Sequence, residues 1–190
     1  MKNLIKKVEK LALEEIKKYH SPNLTQFEIS NHFGQVLAKK YKVDKDIVFL
    51  GTCLMDLKIG QAIKENRLQD HIRMSAEAAQ KFLTREKVEQ KIINTIIHCV
   101  EAHHGTIKYQ SKEAEVVANA DCYRFLTFRG VIAFITMVGK REINLDEIID
   151  FVDQKAEEKW HIVSLPGVKK ELGPNYKAIK KFVKGAGVVK

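Results

Sequence analysis

Apolar residues recur every three or four positions through almost the whole chain, the period of α-helices, and this argues against a sheet-dominated fold. Residues 3 to 18 carry one amphipathic pattern. Ser21-Pro22-Asn23 interrupts it, and Leu24 to Tyr41 resumes it with Ile29, Phe33, Val36 and Leu37 on one stripe. Asp46 to Leu57 is nearly all apolar, as a helix at the centre of a bundle would be. Ser75 to Leu83 and Val88 to His104 follow, the second with Ile92, Ile93, Ile96, Ile97 and Val100. Glu113 to Phe128 turns Val116, Val117, Ala120 and Phe125 inward. Asp146 to Trp160 is amphipathic behind a polar start at Asn144. Only VIAFITMV, residues 131 to 138, reads equally as helix or strand, and no internal repeat is present. The expected fold class is all-α, a single-domain helical bundle over 1–190, with an N-terminal helix in 1–20 and C-terminal helices and a basic tail in 131–190. The 190 residues, 45% hydrophobic, suffice for one substantial core.

Several functions are disfavoured at this stage. No apolar stretch approaches the roughly 18 residues of a membrane span, and lysines and glutamates break every turn of the N-terminal helix, so a signal peptide and a membrane partner are not expected. Cys53, Cys99 and Cys122 each sit inside an apolar helical pattern and offer no disulfide framework, which suggests a cytoplasmic location with reduced thiols. The net charge of +9 favours phosphate-rich partners and leaves room for weak nucleic-acid contact through the basic C-terminal region, Lys169 to Lys190. Only Tyr176 and Phe182 are aromatic in that region, so a lysine-rich solvated helix is the simpler account. Beyond residue 130 no motif for chemistry is evident, and Trp160 is assigned to packing.

The polar residues on the apolar stripes carry the functional signal. His32 lies three after Ile29 and four before Val36; His103 and His104 look back one turn onto Cys99 and Val100; Asp121 stands between Val117 and Phe125. Asp56 closes the apolar run IVFLGTCLM. His98, flanked at helical spacing by Asn94, Thr95, Glu101 and Ala102, is expected to face solvent. One inward histidine is most often a hydrogen-bonded core residue. Several inward carboxylates and neutral imidazoles from different helices are costly to bury unless a cation neutralises them. Mixed nitrogen and oxygen donors suit Mn, Fe, Mg, Zn or Ni.

In this order and spacing the residues resemble the HD domain superfamily of metal-dependent phosphohydrolases. The early histidine looks like His32 in ISNHFGQVLAKKY, and the His-Asp pair like MDLKIG at 55 to 60. DHIRMSAEAAQKFL resembles the segment in which two-metal members add a histidine, here His71. IIHCVEAHHG gives His103 and His104, and EAEVVANADCYRFL gives Asp121. The likeness covers roughly residues 25 to 130. It departs from the family at Met55, a soft thioether where the family has the His of its pair.

The resemblance implies a divalent metal ion as cofactor and a phosphate mono- or diester, often a nucleotide, as the small-molecule partner. His32, Asp56 and Asp121 would hold one ion, and Asp56, His71 and His103 or His104 another. Asp56 and Lys58 are the candidate catalytic residues. Lys58, Arg73 and Arg124 are the candidate phosphate contacts, and Ser75 or Glu77 a partner orienting His71. The competing account is a catalytically degenerate HD-like module that binds a nucleotide, RNA or a protein.

Overall fold

Asp44 opens the helix around which the others assemble: its carboxylate accepts from the backbone N–H groups of Asp46 and Ile47 and caps α3, Lys45–Leu54. From Ile47 onward α3 buries Ile47, Val48, Leu50, Gly51, Thr52, Cys53 and Leu54, so it is surrounded rather than amphipathic. The computed structural model describes residues 1–187, so Lys190 of the basic tail lies outside the described residues.

Before α3 come α1, Lys2–Tyr19, and α2, Leu24–Tyr41; after it come α4, Ile59–Lys64, α5, His71–Arg85, and α6, Gln90–Ala102. The chain continues through α7, Lys112–Leu126, α8, Phe128–Val138, α9, Leu145–Ile162, and α10, Pro166–Ala186. Among the described residues there is no strand, and the ambiguous segment 131 to 138 is helix α8. The fold class is all-α, as the periodicity indicates.

α3 packs on α1, α2, α6 and α7, and one apolar cluster runs from Val8 in α1 to Val183 in α10. Gly51 permits a close approach to α6 and α7: a Cβ there would stand 2.9 Å from Val117 Cγ2 and 3.0 Å from Cys99 Cβ. α6, which ends just before His103, and α7, which carries Asp121, are thereby drawn onto the helix that leads to Asp56.

Two devices hold α9 over this centre. Asn144 and Glu147 form a reciprocal capping box at its start. At its end the buried Asn119 amide accepts from the N–H groups of Ser164 and Leu165, both at 3.2 Å, and donates to Ser164 Oγ at 2.9 Å. Trp160 stacks on Tyr176 between α9 and α10, with ring centroids 4.7 Å apart, in the packing role expected of it. The three cysteines are free and buried.

Candidate metal centre

Asp56 reaches the interior because α3 stops at Leu54 and the chain turns inward, with Leu57 N–H donating to Leu54 O and Ile59 N–H to Asp56 O. Ser75 Oγ accepts from Lys58 N–H at 3.0 Å and fixes this turn against α5. Asp56 Oδ2 accepts from Arg124 Nη1 at 2.5 Å, and the same nitrogen donates to Asp121 Oδ1 at 2.7 Å. The second oxygen of Asp121 lies 2.8 Å from Lys159 Nζ, an ion pair off the hydrogen-bond direction. Asp56, Asp121, Arg124 and Lys159 are 8%, 1%, 3% and 1% exposed, so two carboxylates and two cations share a nearly dry interior.

Burial alone would raise both carboxyls. The Arg124 guanidinium beside Asp56 overrides it and holds Asp56 well below the usual range. Lys159 and then Arg124 do the same for Asp121. Burial opposes the charge on Lys159 as well, but Asp121 and Glu158 raise its ammonium above its ordinary value.

On the other side of Asp56 stand the histidines. His71 Nδ1 lies 2.7 Å from Leu68 O and His103 Nδ1 2.6 Å from Val100 O. A carbonyl only accepts, so each Nδ1 carries the hydrogen, and in the neutral ring Nε2 presents a lone pair. Those Nε2 atoms lie 3.7 and 3.6 Å from Asp56 Oδ1. All three atoms are buried without a hydrogen-bond partner. His104 adjoins them, and one donor atom from each of His71, His103 and His104 can be chosen within 4.8 Å of one another. Burial lowers the His71 imidazole. Burial, then Lys159 and His103, push His104 down to about 3. Three convergent buried acceptors without hydrogen-bond partners are a donor set that could hold a cation.

No family model matches the sequence. A crystal structure of a predicted HD superfamily hydrolase from an uncultured Thermotogales bacterium aligns with a TM-score of 0.63 at 15% identity, covering 94% of this chain and 88% of that one. A Lactobacillus plantarum protein aligns with a TM-score of 0.72 at 14% identity, covering 97% of this chain and 95% of that one. The chain has the HD-type fold.

Within the HD-type fold, Asp56, His71, His103, His104 and Asp121 converge, but His32 does not. It is exposed on α2: the buried face of that helix is Gln26, Phe27, Ile29, Ser30, Asn31, Gly34, Leu37 and Ala38, so of its two supposed stripe neighbours Ile29 is buried while Val36 is 45% exposed. His98 is corrected the other way: it is buried, and its Nε2 accepts from Gln110 N–H at 3.0 Å where the loop after α6 folds back. Lys58 pairs with Glu15 at 2.8 Å, and the exposed Arg73 with Asp70 at 3.3 Å and Glu77 at 3.1 Å. Arg124 is sealed against Asp56 and Asp121 and is not a phosphate contact in this arrangement. His71 is oriented by the Leu68 carbonyl, not by Ser75 or Glu77.

Two buried polar side chains are not marked by any motif: Lys159, which meets Asp121, and Gln26 on α2. Lys159 sits seven after Val152 and three after Ala156 on the buried stripe of α9, a position from which a lysine inside the core could have been inferred. Gln26 is wholly buried with both amide atoms unpartnered, yet as the residue whose N–H bonds the Asn23 cap it resembles an ordinary first-turn residue.

Proposed function

We propose that the protein is a metal-dependent phosphohydrolase acting on a phosphate mono- or diester, with a nucleotide as the expected substrate class, and that Asp56, His71 and His103 bind its divalent cation with His104 alongside. One observation carries this: Asp56 Oδ1, His71 Nε2 and His103 Nε2 converge as buried acceptors without partners. Two nitrogens and a carboxylate oxygen suit Mn, Fe, Mg, Zn or Ni. A divalent ion bound there supplies Lewis acidity, polarising a phosphoryl oxygen and acidifying water toward neutral pH.

The residues of the chain divide the remaining work. Arg124 grips Asp56 Oδ2, which fixes the carboxylate and leaves Oδ1 as the donor. The Leu68 and Val100 carbonyls hold the two imidazoles in the tautomer that presents Nε2. Met55, buried at 1% exposure, keeps a second account in play: an HD-type module that binds its ligand without turnover.

Elemental mass spectrometry on untagged protein never exposed to chelator, beside His71→Ala and His103→Ala, tests the proposal. Near-stoichiometric metal in the parent that is lost in both variants, with metal-dependent hydrolysis of a nitrophenyl phosphate mono- or diester, is the expected result. Metal-free protein that takes up none on reconstitution would sink it. Bound metal without hydrolysis of any phosphate ester would select the binding module.

A further inference from the structure

We infer that Arg124 and Lys159 stand, as fixed side-chain cations, where a second ion would have to sit between Asp56 and Asp121, so that this protein binds one divalent ion and not two. The inference deepens the proposed function and rests on it.

Three independent observations lead there. The first is occupancy. Arg124 Nη1 bridges Asp56 Oδ2 and Asp121 Oδ1, and Lys159 Nζ covers Asp121 Oδ2, so every carboxylate oxygen facing this side already meets a cation.

The second is charge. Asp56 and Asp121 are matched one for one by Arg124 and Lys159 inside an interior at most 8% exposed, and Glu158 is matched by Lys155 at 2.6 Å. A dication added between Asp56 and Asp121 would face a guanidinium and an ammonium directly, across a poorly screened gap.

The third is the donor inventory. A second ion bridging these carboxylates needs nitrogen or oxygen from α2 and from the end of α3. α2 turns His32 to solvent and offers inward the amides of Gln26 and Asn31 and the hydroxyl of Ser30, while the chain after α3 begins with the thioether of Met55. None of these replaces an imidazole as a donor to a borderline ion.

Arg124 therefore divides Asp56: one oxygen is committed to the guanidinium, and the other faces the two unpartnered histidine nitrogens. The core between Asp56 and Asp121 is neutral without metal, which separates folding from metal loading.

Titration with Mn2+ followed by native mass spectrometry and electron paramagnetic resonance tests this. One equivalent per chain with an uncoupled manganese spectrum, abolished by His71→Ala, is the expected result, and Arg124→Lys should leave the stoichiometry at one. Two equivalents, or the spectrum of an exchange-coupled pair, would overturn the inference while leaving the proposed function standing. No tight manganese, zinc or nickel binding at all would overturn both. A second measurement does not depend on stoichiometry: added Mn2+ should raise the melting temperature of Arg124→Ser through the vacated carboxylates in a His71→Ala background, where the same addition to His71→Ala alone changes nothing. Equal response of the two proteins would count against the stand-in role of Arg124.

Discussion

His103 Nε2 and Asp56 Oδ1 face one another at 3.6 Å, beyond hydrogen-bond reach, and neither has another partner. Since Val100 O fixes the His103 hydrogen on Nδ1, the gap lies between an acceptor nitrogen and an acceptor oxygen. A proton, a metal ion or a water donating to both atoms relieves that opposition. His103→Gln, which keeps a polar group but removes the imidazole, should lower affinity for the ion at least tenfold, on the order of what altered ligand sets produce. Competition against a metallochromic indicator measures it.

Arg124 holds two buried carboxylates at once. Arg124→Met removes the guanidinium and leaves Asp56 without its ion-pair partner, so stability should fall by about 3–5 kcal/mol. Urea denaturation at neutral pH in the absence of metal checks this, and an unchanged midpoint would mean that water reaches the carboxylates.

His104 sets the acid limit of the metal-free protein. Its folded value near 3 lies below its ordinary 6.5, so between these pH values the unfolded chain holds a proton that the folded chain refuses. Stability accordingly declines as pH falls through this window, by up to about 1.4 kcal/mol per pH unit for this group. His71, also lowered, adds to the decline in the same direction. Asp56 and Asp121 are depressed carboxyls, so their contribution is complete above the unfolded value near 4 and is lost as pH falls further. Denaturation midpoints at pH 7.5, 6 and 5, taken in buffers of about those values, should drop steadily, and His104→Asn should flatten the profile.

Gly51→Ala tests the packing that assembles the centre. The new methyl would meet Val117 Cγ2 at 2.9 Å and Cys99 Cβ at 3.0 Å, on the helix that carries Asp121 and the helix that ends just before His103. A loss of about 1–3 kcal/mol is expected from overpacking, together with weaker metal binding because α6 and α7 must move apart. Calorimetry and metal titration on the same variant separate the two effects.

Met55→His restores a nitrogen donor at the end of α3. With Arg124 still bridging Asp56 and Asp121, the variant should bind no additional manganese. Calorimetric titration of parent and variant side by side makes the comparison.

The sequence by itself determined the all-α class, the near-total burial of the segment before Asp56 and the inward set His71, His103, His104 and Asp121, because these follow from a helical period of apolar residues or from ordered motif segments that local pattern records. It misjudged His32 and His98 because a one-residue rotation of a helix face, or a loop folding back over it, leaves no mark on the local period. Only tertiary structure decided which cations meet the carboxylates. Lys159 comes from α9, remote in sequence from Asp121, and Arg124 stands three residues from Asp121 while also spanning to Asp56 on another element. Pairing across elements depends on how helices stack, and that geometry is set by side-chain packing throughout the core rather than by any one segment.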